Sequence, residues 1–244
     1  HDCLAHYGVA REVATLLDLT LARAPLLSAL PEWPVSSRLF VSVEDAHLCS
    51  RYSAVVIENI AVGPSPEWLV ERLLSIGERS INNVVDAMNY VMFDIGQPLH
   101  AFDLEQLAVT EGAVAIGVRG STENEKITTL EALERTLPGG TLLITDATRN
   151  TPLGIAGIKG GSSAAIRPET EHIVIEAANF DPVLIRKSSR SLNLRTAASV
   201  RFEHALAPGL TLHALREAAS LITKIAATPE TRIEGYSDSA VEAG

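Results

Sequence analysis

The 244-residue chain is long enough for one large domain or two small ones, and with 46% hydrophobic and 20% charged residues it reads as a globular sequence with a full core. No apolar run approaches the ~20 residues needed to span a bilayer. A net charge of −10 and a pI near 5.2 argue against indiscriminate binding to nucleic acid, which relies on basic surface. The two cysteines, Cys3 and Cys49, form no C-x-x-C pair and are too few for a disulfide framework, so a reducing, cytoplasmic setting is expected. The first residues, HDCLAHYG, carry neither an initiator Met nor a signal peptide and read as an internal piece of a longer protein.

Residues 1–19 read as a helix with Val9, Val13, Leu16 and Leu17 on one side. Residues 24–37 contain Pro25, Pro31 and Pro34 and read as an irregular linker. A short strand at 40–43 and a β-branched strand at 52–60 (YSAVVIENI) follow. Ser65 then caps a helix over 66–76 that has Pro66 at its first position and stops at Gly77.

Residues 81–103 (INNVVDAMNYVMFDIGQPLHAFD) are the best-defined stretch. Ile81, Val84, Val85, Met88, Val91, Met92 and Ile95 make one apolar helix face. Ser80 is placed to cap the start, Gly96 to end the helix in the left-handed region, and Pro98 forbids continuation. Asn82, Asp86 and Asn89 form a polar stripe on the other side. His100 and Asp103 follow the stop, so a rigid turn presents an imidazole.

The middle of the chain is β-rich, with strand-like runs at 112–119, 125–129, 141–146, 152–158 and 173–178 and a tight turn at 137–140. Helix resumes at Asp181-Pro182, with a short helix near 198–205 and a long one from about Pro208. Leu215, Ala218, Ala219, Ile222 and Ile225 form the buried stripe of the last. The tail from Thr228 is polar and reads as a linker. Helices, then strands, then helices imply an α+β layered architecture rather than alternating βαβ units. The expected division is 1–37 (helix and linker), 38–227 (the main domain) and 228–244 (polar linker).

Several chemistries have no motif here: there is no G-x-x-x-x-G-K-[ST] loop, no H-E-x-x-H and no G-x-S-x-G, and the seven histidines lack metal-ligand spacing. No metal site is expected. Residues 154–161 (GIAGIKGG) admit close approach of a backbone or ligand, or mark a bulge with sharp turns. Glu176 interrupts an apolar strand (IVIEAANF) and shares a face with Val174; it is either at a solvated edge or buried with a polar partner. Thr196 taken alone is a helix cap. Five basic residues and no acidic one lie between Pro182 and Phe202, either as a solvated face or as a phosphate-contacting patch.

Together, DCLAHYGVARE, the D-x-x-N-Y helix with GQPLHAFD, GIAGIKGG, IVIEAANF and RTAASVRFEHAL occur in the order and spacing of the bacterial phenylalanyl-tRNA synthetase β-chain family. From about Asp2 to Thr223 the chain resembles the central B3/B4 editing region of that family. The resemblance implies a three-layer sandwich, a β-rich middle flanked by helices. It implies hydrolysis of tyrosine wrongly esterified to tRNA(Phe), or alternatively a structural or tRNA-binding module with editing lost. It assigns Glu176 to recognition of the tyrosine hydroxyl and Gly160 to the pocket lining. His100 goes to the hydrolytic site, Thr196 and Ala198 to the ester and terminal adenosine, and Arg79 and Asn89 to the pocket wall. It implies as partners the tRNA(Phe) 3′ end, a synthetase α chain and the rest of the β chain, with no membrane. It implies no cofactor here, since ATP and magnesium would act elsewhere in the parent enzyme. The sequence departs from the family pattern at Met88 (usually threonine), Ala156 (glycine), Ala197 (an acidic residue) and His204-Ala205 (a basic residue and glycine). Met88 is expected to make one pocket wall more apolar.

Overall fold

The computed structural model describes residues 2–30 and 32–240. His1, Pro31 and residues 241–244, which fall in the expected terminal helix and linkers, lie outside the described residues. In chain order the helices are α1 (His6–Leu16), α2 (Glu67–Ser75), α3 (Asn83–Ile95), α4 (Pro182–Ser191), α5 (Ala197–Phe202) and α6 (Leu210–Ile225). The strands are β1 (Leu39–Val43), β2 (Cys49–Ile60), β3 (His100–Asp103), β4 (Val109–Thr110), β5 (Ala113–Gly120), β6 (Glu125–Thr128), β7 (Glu134–Leu137), β8 (Leu142–Asp146), β9 (Thr151–Ile155), β10 (Lys159–Gly160), β11 (Ile173–Phe180) and β12 (Ala227–Ala240).

Two sheets form the body of this mixed α/β fold. The first runs β12-β2-β11-β3 and is antiparallel throughout; the second runs β1-β5-β8-β9-β10, with β4 also on β5. All eight residues of β11 are buried, because the first sheet is covered on both faces. On one face Val55, Ile57, Ile173 and Ile175 pack against Val84, Met88 and Val91 of α3 and Leu215, Ala218 and Ile222 of α6. On the other, Tyr52, Ala54, Val56, Phe102, Val174 and Ala178 pack against Ile116, Leu143 and Ile155 of the second sheet and Ile185 and Phe202 of α4 and α5. Helices therefore flank the sheets in layers, as the sequence implies. A run of β-branched residues such as VVI in β2 suits a strand buried on both sides.

α3 ends as expected at Gly96, whose φ of 94° is left-handed. Its start differs from expectation. The cap is Asn82, whose side chain accepts from the amides of Val84 and Val85 at 3.1 and 2.9 Å. Ser80 instead donates to buried Asp86, which also accepts from Ser65 Oγ and the Ile81 amide at 2.6 and 2.8 Å. The carboxylate holds residues 80–82 extended, so Ile81 is left outside the helix and exposed. For the same reason Ser65 does not cap α2, which begins at Glu67 with Pro66 at the cap position.

Three further expectations need correction. α1 is shorter than residues 1–19, and its Val9, Val13, Leu16 and Leu17 are exposed; it buries Gly8 and Ala14 instead. The stretch 152–158 leaves the strand after Ile155 for a turn. Most of the polar tail is strand: β12 pairs with β2 along the sheet edge, its Asp238 bonded to Arg51 and Ser53 and its Arg232 to Glu58. Residues 24–37 are irregular as read, apart from a single turn at Pro25–Leu27 and a bridge from Val35 to Tyr236. Ala205, where the family pattern has glycine, sits at φ 59° and carries the cost of a left-handed β-carbon.

Candidate active site

β3 and β11 pair so that His100 lies directly opposite Glu176. Cross-strand partners point to the same face, and here that face meets the second sheet. Next to the pair is a cavity of about 320 Å³, within the size range of small-ligand sites. Residues of both sheets line it, among them His100, Glu176, Gly160 and Ile155, as do Asn89 of α3 and Thr196 and Ala198 at the start of α5. Six of the seven residues singled out by the sequence are thereby brought to one hollow. Arg79 is not: it is exposed in the segment between α2 and α3, and its neighbour Glu78 lines the cavity. Met88 is not a wall residue either; it packs between α3 and the first sheet, and Met92, one turn on, faces the hollow.

Glycine at 160 leaves room for the imidazole in its present position. A β-carbon there would lie 2.6 Å from Cε1 and 2.9 Å from Nε2 of His100. At Gly161 it would meet the Leu153 carbonyl oxygen at 2.6 Å, and at Gly157, whose φ is 65°, the Phe202 ring at 2.9 Å. GIAGIKGG turns sharply after Ile155, and its glycines admit the Leu153 backbone at Gly161 and the imidazole at Gly160.

His100 stacks edge-on against Phe102, centroids 4.8 Å apart, and its buried Nε2 has no hydrogen-bond partner among the described residues. Burial pulls its pKa down to about 4, so the ring is neutral at pH 7. Glu176, only 6% exposed, is buried with a polar partner: Tyr52 Oη donates to its Oε2. Burial pushes the Glu176 carboxyl up to about 8, against the Tyr52 hydrogen bond, which lowers it. Thr196 caps α5 through a reciprocal box with Ser199, and its hydroxyl donates to the Ile158 carbonyl at 3.0 Å. Its one proton is thus already placed. A hydroxyl on Tyr52 was not legible as a site feature, because only the pairing of β2 with β11 brings it to Glu176.

The basic run divides. Arg186, Lys187, Arg190 and Arg195 are exposed, whereas Arg201 is buried. Arg201 donates to the carbonyls of Ala197 and Leu4 at 2.8 and 2.7 Å and lies over the Phe93 ring. It ties the α5 wall of the cavity to the N-terminal segment. Cys3 and Cys49 are both free thiols. No helix among the described residues is long and apolar enough to cross a membrane.

Layered sheets and helices surround a hollow of about 320 Å³ whose lining includes a neutral imidazole beside a buried carboxyl, the architecture of a mixed α/β domain with a cleft between its sheets. The chain belongs to the B3/4 domain family, which matches residues 48–227. It is 45% identical over 228 residues to the phenylalanine–tRNA ligase β subunit of Carboxydothermus hydrogenoformans, and 44% identical over 225 residues to that of Geobacter metallireducens. Each match covers 92% of this chain and 27% of the relative, so the chain spans about a quarter of the length of these curated relatives. Among solved structures it is similar to an N-terminal fragment of the phenylalanyl-tRNA synthetase β subunit from Pyrococcus horikoshii, at 14% identity and a TM-score of 0.44, covering 79% of this chain and 58% of that one.

Proposed function

We propose that this domain is the editing module of a phenylalanine–tRNA ligase and hydrolyses the ester of tyrosine mischarged onto tRNA(Phe). The observation that carries the reading is the placement of His100 opposite Glu176 at one cavity, with Gly160 against the imidazole. The need for such a site follows from selectivity. An apolar pocket for phenylalanine rejects a ring with one added hydroxyl by only about a hundredfold. A site that pairs the hydroxyl inverts the preference, because phenylalanine leaves the buried polar group unpaired.

In this reading the tyrosine ring enters the hollow with its hydroxyl on Glu176. A phenol both donates and accepts, so it pairs with the carboxyl in either protonation state. Water attacks the ester carbonyl, the bond between the acyl carbon and the ribose oxygen breaks, and a proton from the water ends on that oxygen, releasing tyrosine and the free tRNA 3′ end. His100, with a pKa of about 4, is a weak proton acceptor at pH 7, so its part is to orient the water by hydrogen bonding, with the neighbouring ribose hydroxyl. The Thr196 hydroxyl already bonds Ile158, so its part is to hold the first turn of α5, with Ala198, against the ester end. Asn89 lines the wall, and Arg79 lies outside it. Partners on this reading are the tRNA(Phe) 3′ end, the synthetase α chain and the remainder of the β chain, in the cytoplasm.

The test is deacylation of tyrosyl-tRNA(Phe) by the assembled synthetase carrying this domain. His100→Ala is expected to slow turnover at least tenfold, and Glu176→Gln to remove the preference for tyrosyl over phenylalanyl ester. Normal clearance by both variants would leave the domain as a structural or tRNA-binding module.

A further inference from the structure

Tyr52 does not line the cavity, yet its hydroxyl makes the one side-chain hydrogen bond to Glu176 among the described residues. The sheet explains how it gets there. Glu176 is in register with Ala54 on β2, and Tyr52 lies two residues before Ala54, on the same face, as its diagonal neighbour. Tyr52 is fully buried and packed in the inter-sheet core, so its neighbours hold the ring in place.

We infer that Tyr52 is a specificity-positioning residue: its hydroxyl occupies Oε2 of Glu176 and so aims the remaining carboxyl oxygen at the ligand's hydroxyl. This rests on the reading of Glu176 as the group that recognises tyrosine. A carboxyl has two oxygens and about four acceptor positions. Left alone on the floor of a hollow it could rotate, and a rotating acceptor discriminates poorly. A fixed donor on one oxygen removes that freedom. It also favours the ionised, purely accepting form, against the burial that favours the protonated one. The other titratable groups around Glu176 are Cys49 on β2 and His100 on β3. The Cys49 thiol is pushed up to about 12, mainly by burial and also by Glu176, and it donates its proton to the Arg51 carbonyl at 3.4 Å, so it does not take the place of Tyr52.

The experiment compares wild type, Tyr52→Phe, Glu176→Gln and the double variant in the assembled synthetase, on tyrosyl- and phenylalanyl-tRNA(Phe). Tyr52→Phe keeps the ring, and a thermal melt checks that each variant is folded. The expected result is a KM for the tyrosyl ester raised about tenfold with kcat within twofold, and unchanged hydrolysis of the phenylalanyl ester. In the Glu176→Gln background the Tyr52→Phe change has no further effect. Equal losses on both esters, or full additivity in the double variant, would overturn the inference and make Tyr52 a packing residue. If Glu176→Gln abolishes discrimination while Tyr52→Phe leaves it intact, this inference alone falls. If Glu176→Gln leaves discrimination intact, or the wild type shows none, the reading of the site falls with it.

Discussion

Glu176 and His100 face each other across one strand pair, and burial moves them in contrary directions. The carboxyl rises from 4.5 to about 8 and the imidazole drops from 6.5 to about 4. Glu176 therefore adds stability that is complete below pH 4.5 and lost as pH rises through 8; His100 adds stability that is complete above 6.5 and lost as pH falls through 4. Their contributions oppose between about pH 4.5 and 6.5, and only that of Glu176 changes from there to 8. Urea unfolding of the wild type is expected to show little dependence on pH from these groups over 4.5–6.5 and a decline over 6.5–8. Glu176→Gln should remove the decline and leave a rise between pH 4 and 6.5; a curve unchanged in shape would contradict the assignment. Gly160→Ala isolates the steric claim. Its β-carbon meets the imidazole rather than backbone, so the ring must move. Hydrolysis should fall at least tenfold while stability changes by no more than about 1–2 kcal/mol. Of the residues in the hollow, His100, Glu176 and Gly160 stood out as an imidazole after a helix stop, a carboxyl in an apolar strand and a glycine in a strand, but each also had a plain structural reading, and only the family resemblance gathered them into one site. Tyr52 did not stand out, since a tyrosine in a buried strand is ordinary until its neighbour is known.

At the scale of elements, α3 shows how a short polar network outranks a local capping preference. Ser80 is a better cap by type than by position, because Asp86 reaches back and takes it together with Ser65 and the Ile81 amide. Asp86 is fully buried, so truncation leaves three donors without an acceptor. Asp86→Ala is expected to cost about 3 kcal/mol in denaturant unfolding, against ~1 kcal/mol for Asn82→Ala, which removes only the cap. Equal losses would show that the network adds nothing beyond capping. The apolar face of α3 and its glycine stop were readable from periodicity and backbone chemistry. The exposed side of α1 was not, because a stripe of Val and Leu gives the same period whether or not a partner covers it.

Across the whole molecule, the strand that closes the first sheet comes from the end of the chain. β12 runs ATPETRIEGYSDSA, polar and with both Pro and Gly, and pairs with β2, which is also paired to β11 on its other side. On its other side β12 meets the irregular stretch before β1, and at Gly235 the approach is so close that a β-carbon would lie 2.7 Å from the Ser36 Cα. Removing residues 228–240 would uncover the edge of β2, the strand whose other neighbour carries Glu176. The expected outcome is a melting midpoint lowered by about 10 °C or more, with concentration-dependent aggregation at the bared edge. A truncated chain that melts like the full one would mean that β12 is an appendage.

What the amino-acid order determined by itself is local or compositional: the core-facing helix and its stop, the β-rich middle, and the odd residues that signal a site. Those features depend on neighbours within a few positions, where periodicity, φ preference and caps act. The tertiary structure alone decided that His100 and Glu176 are partners, that Tyr52 stands behind the carboxyl, that Arg79 is outside the hollow and that the polar tail is a strand. Each of these depends on the register between strands far apart in sequence. Pairing register is set by which whole faces can be buried together, and no short stretch of chain carries that information.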